Sequence, residues 1–437
     1  MGRKMKHFLI SLLLSCSLAT AAAAAGIGSS SSDAAAIADL ARYLAKPPST
    51  WTTGGDPCSS FKGITCSPSG RVTAIDLARQ NLTGTLSSSL STLTALESLQ
   101  LQDNALSGAV PPLRSPSLAR LSLDGNAFTS LPAAGGDDLL RAAAPALRIL
   151  TIDNLPLPPW PFPAAAVLAC RSLQIFSASG TNLTGAFPAA ALAANLTSLT
   201  TLRLSHNNLT GVIPASLGKI ASLKNISLSY NHFQGPVPEF TAGVAAAADV
   251  TAGNGFCLDK PGPCDAQVSA LLQVAEGFGY PYHLARSWTG NDACKDWEGV
   301  QCDMEDVEIL GLTGYNLSGT ISPAIASLKG LRVLNLANNS LTGEIPDALA
   351  ELPKLSVVDV RNNRLTGQLP KFRASVDVSA DGNSSPNLSN QHGSGEGNID
   401  GGSPSSSGSA ADASSKSSAG TILVSTVVVL VLWMLGN

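Results

Sequence analysis

The chain has 437 residues, 27 basic and 31 acidic, for a formal charge of −4; 44% of its residues are apolar and 13% charged. That weak acidity excludes the basic footprint of a nucleic-acid binder. Five scattered histidines and no C-x-x-C spacing leave no metal centre to propose.

Residues 1–25 read as a cleaved signal peptide. Arg3, Lys4 and Lys6 precede an apolar run from Phe8 to Leu18, and Ala21 to Ala25 offer a cleavage site. The run is too short for a membrane span of about 20 residues. Its removal leaves 24 basic against 31 acidic residues, a charge of −7, and takes Cys16 away. Six of the seven remaining cysteines fall in close pairs: Cys58 with Cys66, Cys257 with Cys264, and Cys294 with Cys302. In an oxidising compartment such pairs read as local disulfides, each worth roughly 2–3 kcal/mol by loop entropy. Cys170 occupies a buried repeat position and reads as a packing residue.

Residues 26–71 read as a cap. Ile37, Leu40, Ala41 and Leu44 recur with helical spacing after Asp33, and Trp51, Asp56, Cys58, Phe61, Gly63 and Cys66 follow. Residues 72–240 then repeat with a period of about 24, the signature of a solenoid. The template is L-x-x-L-x-L-x-x-N-x-L-x-G-x-(I/V/L)-P, with copies starting at Val72, Leu96, Leu118, Leu147, Leu173, Leu199 and Leu223. In the copy from Leu331, Leu334 and Leu336 alternate along a short strand and point inward. Asn339 turns in to satisfy backbone groups of adjacent coils, Gly343 allows a tight bend and Pro346 stiffens the return. The pattern degrades between Leu118 and Leu173, where Leu155 replaces the ladder Asn. There the Pro-rich run from Leu155 to Pro163 is expected to bulge from the convex side, with Trp160 and Phe162 as an alternative contact surface.

Residues 241–304 interrupt the repeats. Cys257 to Cys264 reads as a closing turn, and Val268, Leu271, Leu272 and Ala275 recur with helical spacing after Asp265. Trp288, Asp292, Cys294, Trp297, Gly299 and Cys302 then restate the first cap. Residues 305–375 hold three further repeats, from Val307, Leu331 and Leu355. The expected fold is therefore an α/β leucine-rich-repeat solenoid in two blocks. Each block has a disulfide-pinned N-terminal cap and a concave parallel strand ladder.

The interruption Phe256-Cys257, Pro263-Cys264-Asp265, Gly279-Tyr280-Pro281, Trp288, Gly290-Asn291-Asp292, Cys294 and Trp297-Glu298-Gly299 strongly resembles that of the plant TMK-type leucine-rich-repeat receptor kinases. The resemblance covers residues 33–380. It implies an ectodomain of a family that adds one membrane span and a cytosolic kinase and acts in auxin-linked growth signalling. Two departures stand out: ten repeats are fewer than that family leads one to expect, and no Gly-rich nucleotide loop, H-R-D or D-F-G occurs. No enzyme activity and no cofactor are expected.

Residues 376–418 are Ser/Gly-rich and read as a stalk. Residues 419–437 are a hydrophobic tail whose order fits a GPI signal: small residues at Ser409-Ala410-Ala411, a polar spacer, then an apolar run. A short transmembrane segment is the competing reading. The expected location is the extracellular face of the plasma membrane.

Acceptor sequons fall at Asn81, Asn182, Asn195, Asn208, Asn225, Asn316, Asn338, Asn383 and Asn387, although the repeat template itself generates several of them. Candidate contact residues alternate with the strand leucines: Gln100, Gln102, Ser122, Asp124, Thr151, Asp153, Arg203, Ser205, His206 and Tyr230, then Asn335, Asp359 and Arg361. The expected function is a receptor-like or co-receptor ectodomain. It would bind an extracellular protein or peptide and signal through a kinase-bearing receptor of the same family. A wall-located inhibitor or decoy is the alternative.

Overall fold

The computed structural model describes residues 32–132, 143, 145–245 and 248–388. The expected signal peptide, the hydrophobic tail, Ser409 and most of the stalk lie outside them. No helix among the described residues is long and apolar enough to cross a membrane.

Both caps use one device. A helix over residues 32–43 buries Ile37, Leu40 and Leu44 against the first coil. Asp33, fully buried, accepts from the backbone N–H of Val72 at 3.0 Å and from Arg71 Nε at 2.8 Å, tying the helix to the first repeat strand. In the second cap the helix Ala266–Gly277 is N-capped by Asp265, and Gln267 takes over the tie. Its Oε1 accepts from Val307 N at 2.7 Å and its Nε2 donates to the Glu305 carbonyl at 2.7 Å. Trp51 stacks on Phe61 and Trp288 on Trp297, each with ring centroids 5.4 Å apart. Disulfides Cys58–Cys66 and Cys294–Cys302 close the two segments, with Cα atoms 5.5 and 5.6 Å apart. Each ends in a strand antiparallel to the first repeat strand, so the open solenoid end is covered.

The first block builds a nine-stranded ladder, from cap strand Ile64–Cys66 through Val72–Asp76, Ser98–Gln100, Arg120–Ser122, Ile149–Thr151, Ile175–Ser177, Thr201–Arg203 and Asn225–Ser227 to Ala248–Asp249. Leu121, Leu150, Phe176, Leu202 and Ile226 sit directly opposite one another on successive parallel strands. All are at most 3% exposed. No single coil buries its leucines alone; stacking does, at about 1.5–3 kcal/mol per large side chain. The second block repeats the plan with Val300–Asp303, Asp306–Gly311, Val333–Asn335, Val357–Asp359 and Asp377–Ser379.

The Asn ladder holds adjacent coils together. Asn231 Nδ2 donates to the carbonyls of Leu204, Leu228 and Ser229, and its Oδ1 accepts from Leu209 N, all within 3.3 Å. Asn104, Asn126, Asn207, Asn339 and Asn363 do the same. The ladder also runs one coil past the sequence repeats in each block. Asn254 and Asn383 are ladder residues, beside short strands at Ala248–Asp249 and Asp377–Ser379. Those coils escaped the template because Val250, Ala380 and neighbouring small residues replace its leucines.

The Pro-rich run is not a bulge. Trp160–Pro161 pairs parallel with Leu183–Ala186, at one edge of a second, five-stranded sheet on the flank. Trp160 Nε1 donates to the Thr181 carbonyl at 2.8 Å. Phe162 is 9% exposed and packs edge-on against Phe176 and Phe187. Phe162 is thus largely covered by its aromatic neighbours rather than displayed on an outer bulge.

The second cap packs back on the first block. Thr210 Oγ1 donates to the Tyr280 carbonyl at 2.9 Å, and Gln234 Nε2 to the Trp288 carbonyl at 2.6 Å. His232 meets Tyr282 edge to face with centroids 4.9 Å apart. Gly211, at φ +106, sits where an L side chain would be strained, and a Cβ there would press on the Tyr280 ring at 3.2 Å. The blocks keep separate cores but belong to one compact unit.

Candidate functional site

The concave face of the first block is the longest continuous sheet in the molecule's described part. Its polar residues divide into two kinds. The carboxylates are turned to neighbouring coils. Asp124 accepts from Thr151 Oγ1 at 2.5 Å and from Asp153 N at 2.7 Å; Asp153 accepts from Ser177 Oγ and Ser179 N, each at 2.6 Å. Burial pushes the Asp124 carboxyl above its ordinary range, against the pull of those bonds. Ser122 and Ser205 are buried, and Gln100 and Gln102 half-buried. Asp124, Asp153 and Ser205 knit the sheet more than they display it, whereas Gln102 Oε1 is buried without a partner.

The second kind faces solvent. Arg203 is exposed beside buried Leu202 and Leu204. His206 and Tyr230 lie one residue before ladder Asn207 and Asn231, a position the coil holds at positive φ (56° and 53°). Equivalent sites carry Asp103, Asn154, Asn338 and Asn362, residue types that tolerate this region. Tyr does so poorly, and strained backbone of this kind gathers at functional sites. The two rings stack at 4.4 Å with an 11° interplanar angle, and Tyr230 remains 53% exposed. Gly253 makes room below: a Cβ there would sit 2.6 Å from Tyr230 Cδ1.

Sequence reasoning overlooked three cations on this face. Arg120 opens the strand Arg120–Ser122, and Arg148 and Lys224 immediately precede the next strands at Ile149 and Asn225. All three are exposed. The signal was present, since they follow a repeat-starting leucine by one or two residues. Strict alternation around the inner leucines passed over those places. In the second block, Asn335 accepts from Thr313 Oγ1 at 2.6 Å, and Asp359 pairs with Arg361 at 2.7 Å.

Sequon asparagines also separate. Asn81, Asn225, Asn316, Asn338 and Asn387 are exposed. Asn208 Nδ2 donates to Asn182 Oδ1 at 2.8 Å, and Asn195 Nδ2 to the Ala191 carbonyl at 2.8 Å. Asn383 spends its amide on the Val360 and Ala380 carbonyls. Between the outer strands, Leu157, Trp160, Phe162 and Phe176 line an apolar cleft of about 530 Å³. Cys257–Cys264 closes the turn ahead of the second cap, and Cys170 is buried. Among the described residues no group of three His, Cys, Asp or Glu could hold a metal.

Comparison with known proteins agrees with this layout. A leucine-rich-repeat family model matches residues 171–233 and 306–365. A leucine-rich-repeat N-terminal-domain model matches twice, at 30–67 and 264–303. The receptor protein kinase WSS1 of Oryza sativa subsp. japonica is 45% identical over 373 aligned residues, covering 68% of this chain and 39% of that protein. Receptor-like kinase TMK2 of Arabidopsis thaliana is 32% identical over 373, covering 68% and 41%. The chain thus spans about two fifths of the length of these relatives. Among solved structures, PEPR1 bound to AtPEP1 is similar at 24% identity and TM-score 0.44, covering 81% of this chain and 52% of that one.

Proposed function

We infer, for a chain whose homologues are the plant TMK-type receptor kinases, that it is a cell-surface receptor-like ectodomain. It takes an extracellular protein or peptide on the concave face of its first block and acts within a complex that includes a kinase-bearing relative. The observation that carries this reading is the exposed His206–Tyr230 stack beside Arg203, on a sheet whose central carboxylates, Asp124 and Asp153, are satisfied by neighbouring coils. A solenoid presents such a face as an extended contact surface. Attachment at Ser409 through a lipid anchor belongs to the same proposal, and release from plant membranes by phosphatidylinositol-specific phospholipase C tests it.

Affinity capture from plant membranes tests the binding claim. The double variant Arg203→Ala, His206→Ala is expected to lose the captured partner and its associated kinase while melting like the parent, because exposed substitutions shift stability by less than about 0.5 kcal/mol. Unchanged capture by this variant, with loss on a Trp160→Ala change at the flank cleft, would move the interface to that cleft.

A further inference from the structure

On the concave face the central carboxylates are spent, while four cations have no ion-pair partner among the described residues. Asp124 and Asp153 are bound to hydroxyls and backbone of the next coil, and Asp249 accepts from Ser227 Oγ at 3.0 Å and Ser229 Oγ at 2.7 Å. Arg120, Arg148, Arg203 and Lys224 are exposed, and none of them enters the ion pairs formed among the described residues. The residues just ahead of the strands run Glu97, Ala119, Arg148, Gln174, Thr200 and Lys224, which confines acid to the cap end of the row. A ligand on this surface must therefore bring acceptors and negative charge.

The layout also sets its size. Arg120, Arg148 and Lys224 lie where the strands begin, and the His206–Tyr230 stack lies just past where they end. From Lys224 to Tyr230 is about 20 Å at roughly 3.3 Å per residue, and the four strand spacings from Arg120 to Asn225 cover about 19 Å. Cations on one rim and a flat ring pair on the other call for a ligand with both carboxylates and planar side chains. A peptide supplies that mixture; a uniform polyuronide, charged at every sugar, does not.

We propose that the central coils of the first block form a binding site for an acidic peptide segment of about six extended residues. Arg120, Arg148, Arg203 and Lys224 hold its carboxylates, and a flat side chain seats on the His206–Tyr230 stack. This rests on the concave face being the contact surface and adds the chemistry of what it takes. Exposed Asn225 adjoins Lys224 and carries a sequon, so a glycan there would crowd the site.

The test uses the whole protein purified from plant cells, in an Asn225→Gln background so that no glycan masks the rim. The probe is a fluorescein-labelled hexapeptide of alternating Glu and Tyr; the control alternates Gln and Tyr. The acidic probe is expected to bind at least about tenfold more tightly at low salt, to weaken as salt rises, and to lose about tenfold in the Arg120→Gln, Arg148→Gln, Arg203→Gln variant at unchanged melting temperature. Replacing the same residues by Lys should keep most of the binding. Equal affinity for the two peptides, or undiminished binding by the Gln variant, overturns the proposal. So does polygalacturonate binding more tightly than the peptide and displacing it.

A second arm separates this proposal from the reading beneath it. Arg203→Asn creates an Asn-Leu-Ser acceptor and places a glycan in the middle of the sheet. If that glycan blocks capture of the plant partner and the Gln variant does not, the concave face stands and the acidic-peptide assignment falls. If neither blocks capture, both fall.

Discussion

Thr210→Val together with Gln234→Leu should uncouple the two blocks while leaving each one folded. Both side chains are at most 1% exposed, and each donates to one carbonyl of the second cap, Tyr280 and Trp288 respectively. The replacements keep similar volume and remove only the donor. Each takes its donor from a buried or half-buried carbonyl, at up to about 1–3 kcal/mol apiece. The pair sits in one joint, so the two losses are not independent; about 2–5 kcal/mol for both is the working range. That is a large part of the 5–15 kcal/mol typical of a whole domain. The disulfides, Trp stacks and Asn ladders within each block are untouched, so only the joint should open. In scanning calorimetry the parent should melt in one transition and the double variant in two, and protease should newly cut in the turn between about residues 258 and 264, ahead of the cap helix. A single transition at the parent's temperature would refute the claim that these two bonds couple the blocks.

Three further outcomes follow from the same geometry. The His232 imidazole is held below its usual 6.5 by burial first and by the Arg286 charge second. At pH above 6.5 both folded and unfolded forms are neutral there; below it the unfolded chain binds the proton first, so stability falls with acid until the lowered folded value is passed. The joint should therefore weaken on acidification through the region just below pH 6.5, and His232→Gln should flatten that slope in pH-dependent melting. Asn383 should be found unglycosylated by peptide mass spectrometry, and Asn383→Ala should lower stability by about 1–3 kcal/mol, whereas Asn225→Ala, at an exposed site with ordinary backbone, should leave it nearly unchanged. Unreduced peptide mapping should return Cys58–Cys66, Cys257–Cys264 and Cys294–Cys302, and a cross-pair involving Cys170 would contradict the local scheme.

The paired caps were legible because Trp, Gly and Cys recur at nearly matching intervals, and each carries a geometric duty: Trp51 and Trp288 stack, while Gly63 and Gly299 sit at positive φ. The ladder was legible wherever leucines marked it. It was lost at Ala248–Asp249 and Asp377–Ser379, where buried Val250 and Ala380 stand in place of the template's leucines. The joint was invisible. Thr210, Gln234 and His232 look like ordinary repeat residues, and their partners Tyr280, Trp288 and Tyr282 come some 50 to 70 positions later. For the concave face, alternation identified the outward positions. It gave no warning that Asp124 and Asp153 would bind their neighbours, because that depends on a hydroxyl or N–H standing at the right place in the next coil. It also missed Arg120, Arg148 and Lys224, whose long side chains flank the strands.

The central claim is that the concave face of the first block receives the partner. Hydroxyl-radical footprinting of the captured complex against the free protein tests it most directly. Tyr230 is 53% exposed on that face, while Tyr43 in the first cap and Met304 in the second are 50% and 94% exposed away from it. The account predicts that oxidation of Tyr230 and His206 falls on partner binding while Tyr43 and Met304 react as before. Undiminished oxidation at Tyr230 with protection at Met304 would place the partner on the second cap and contradict it.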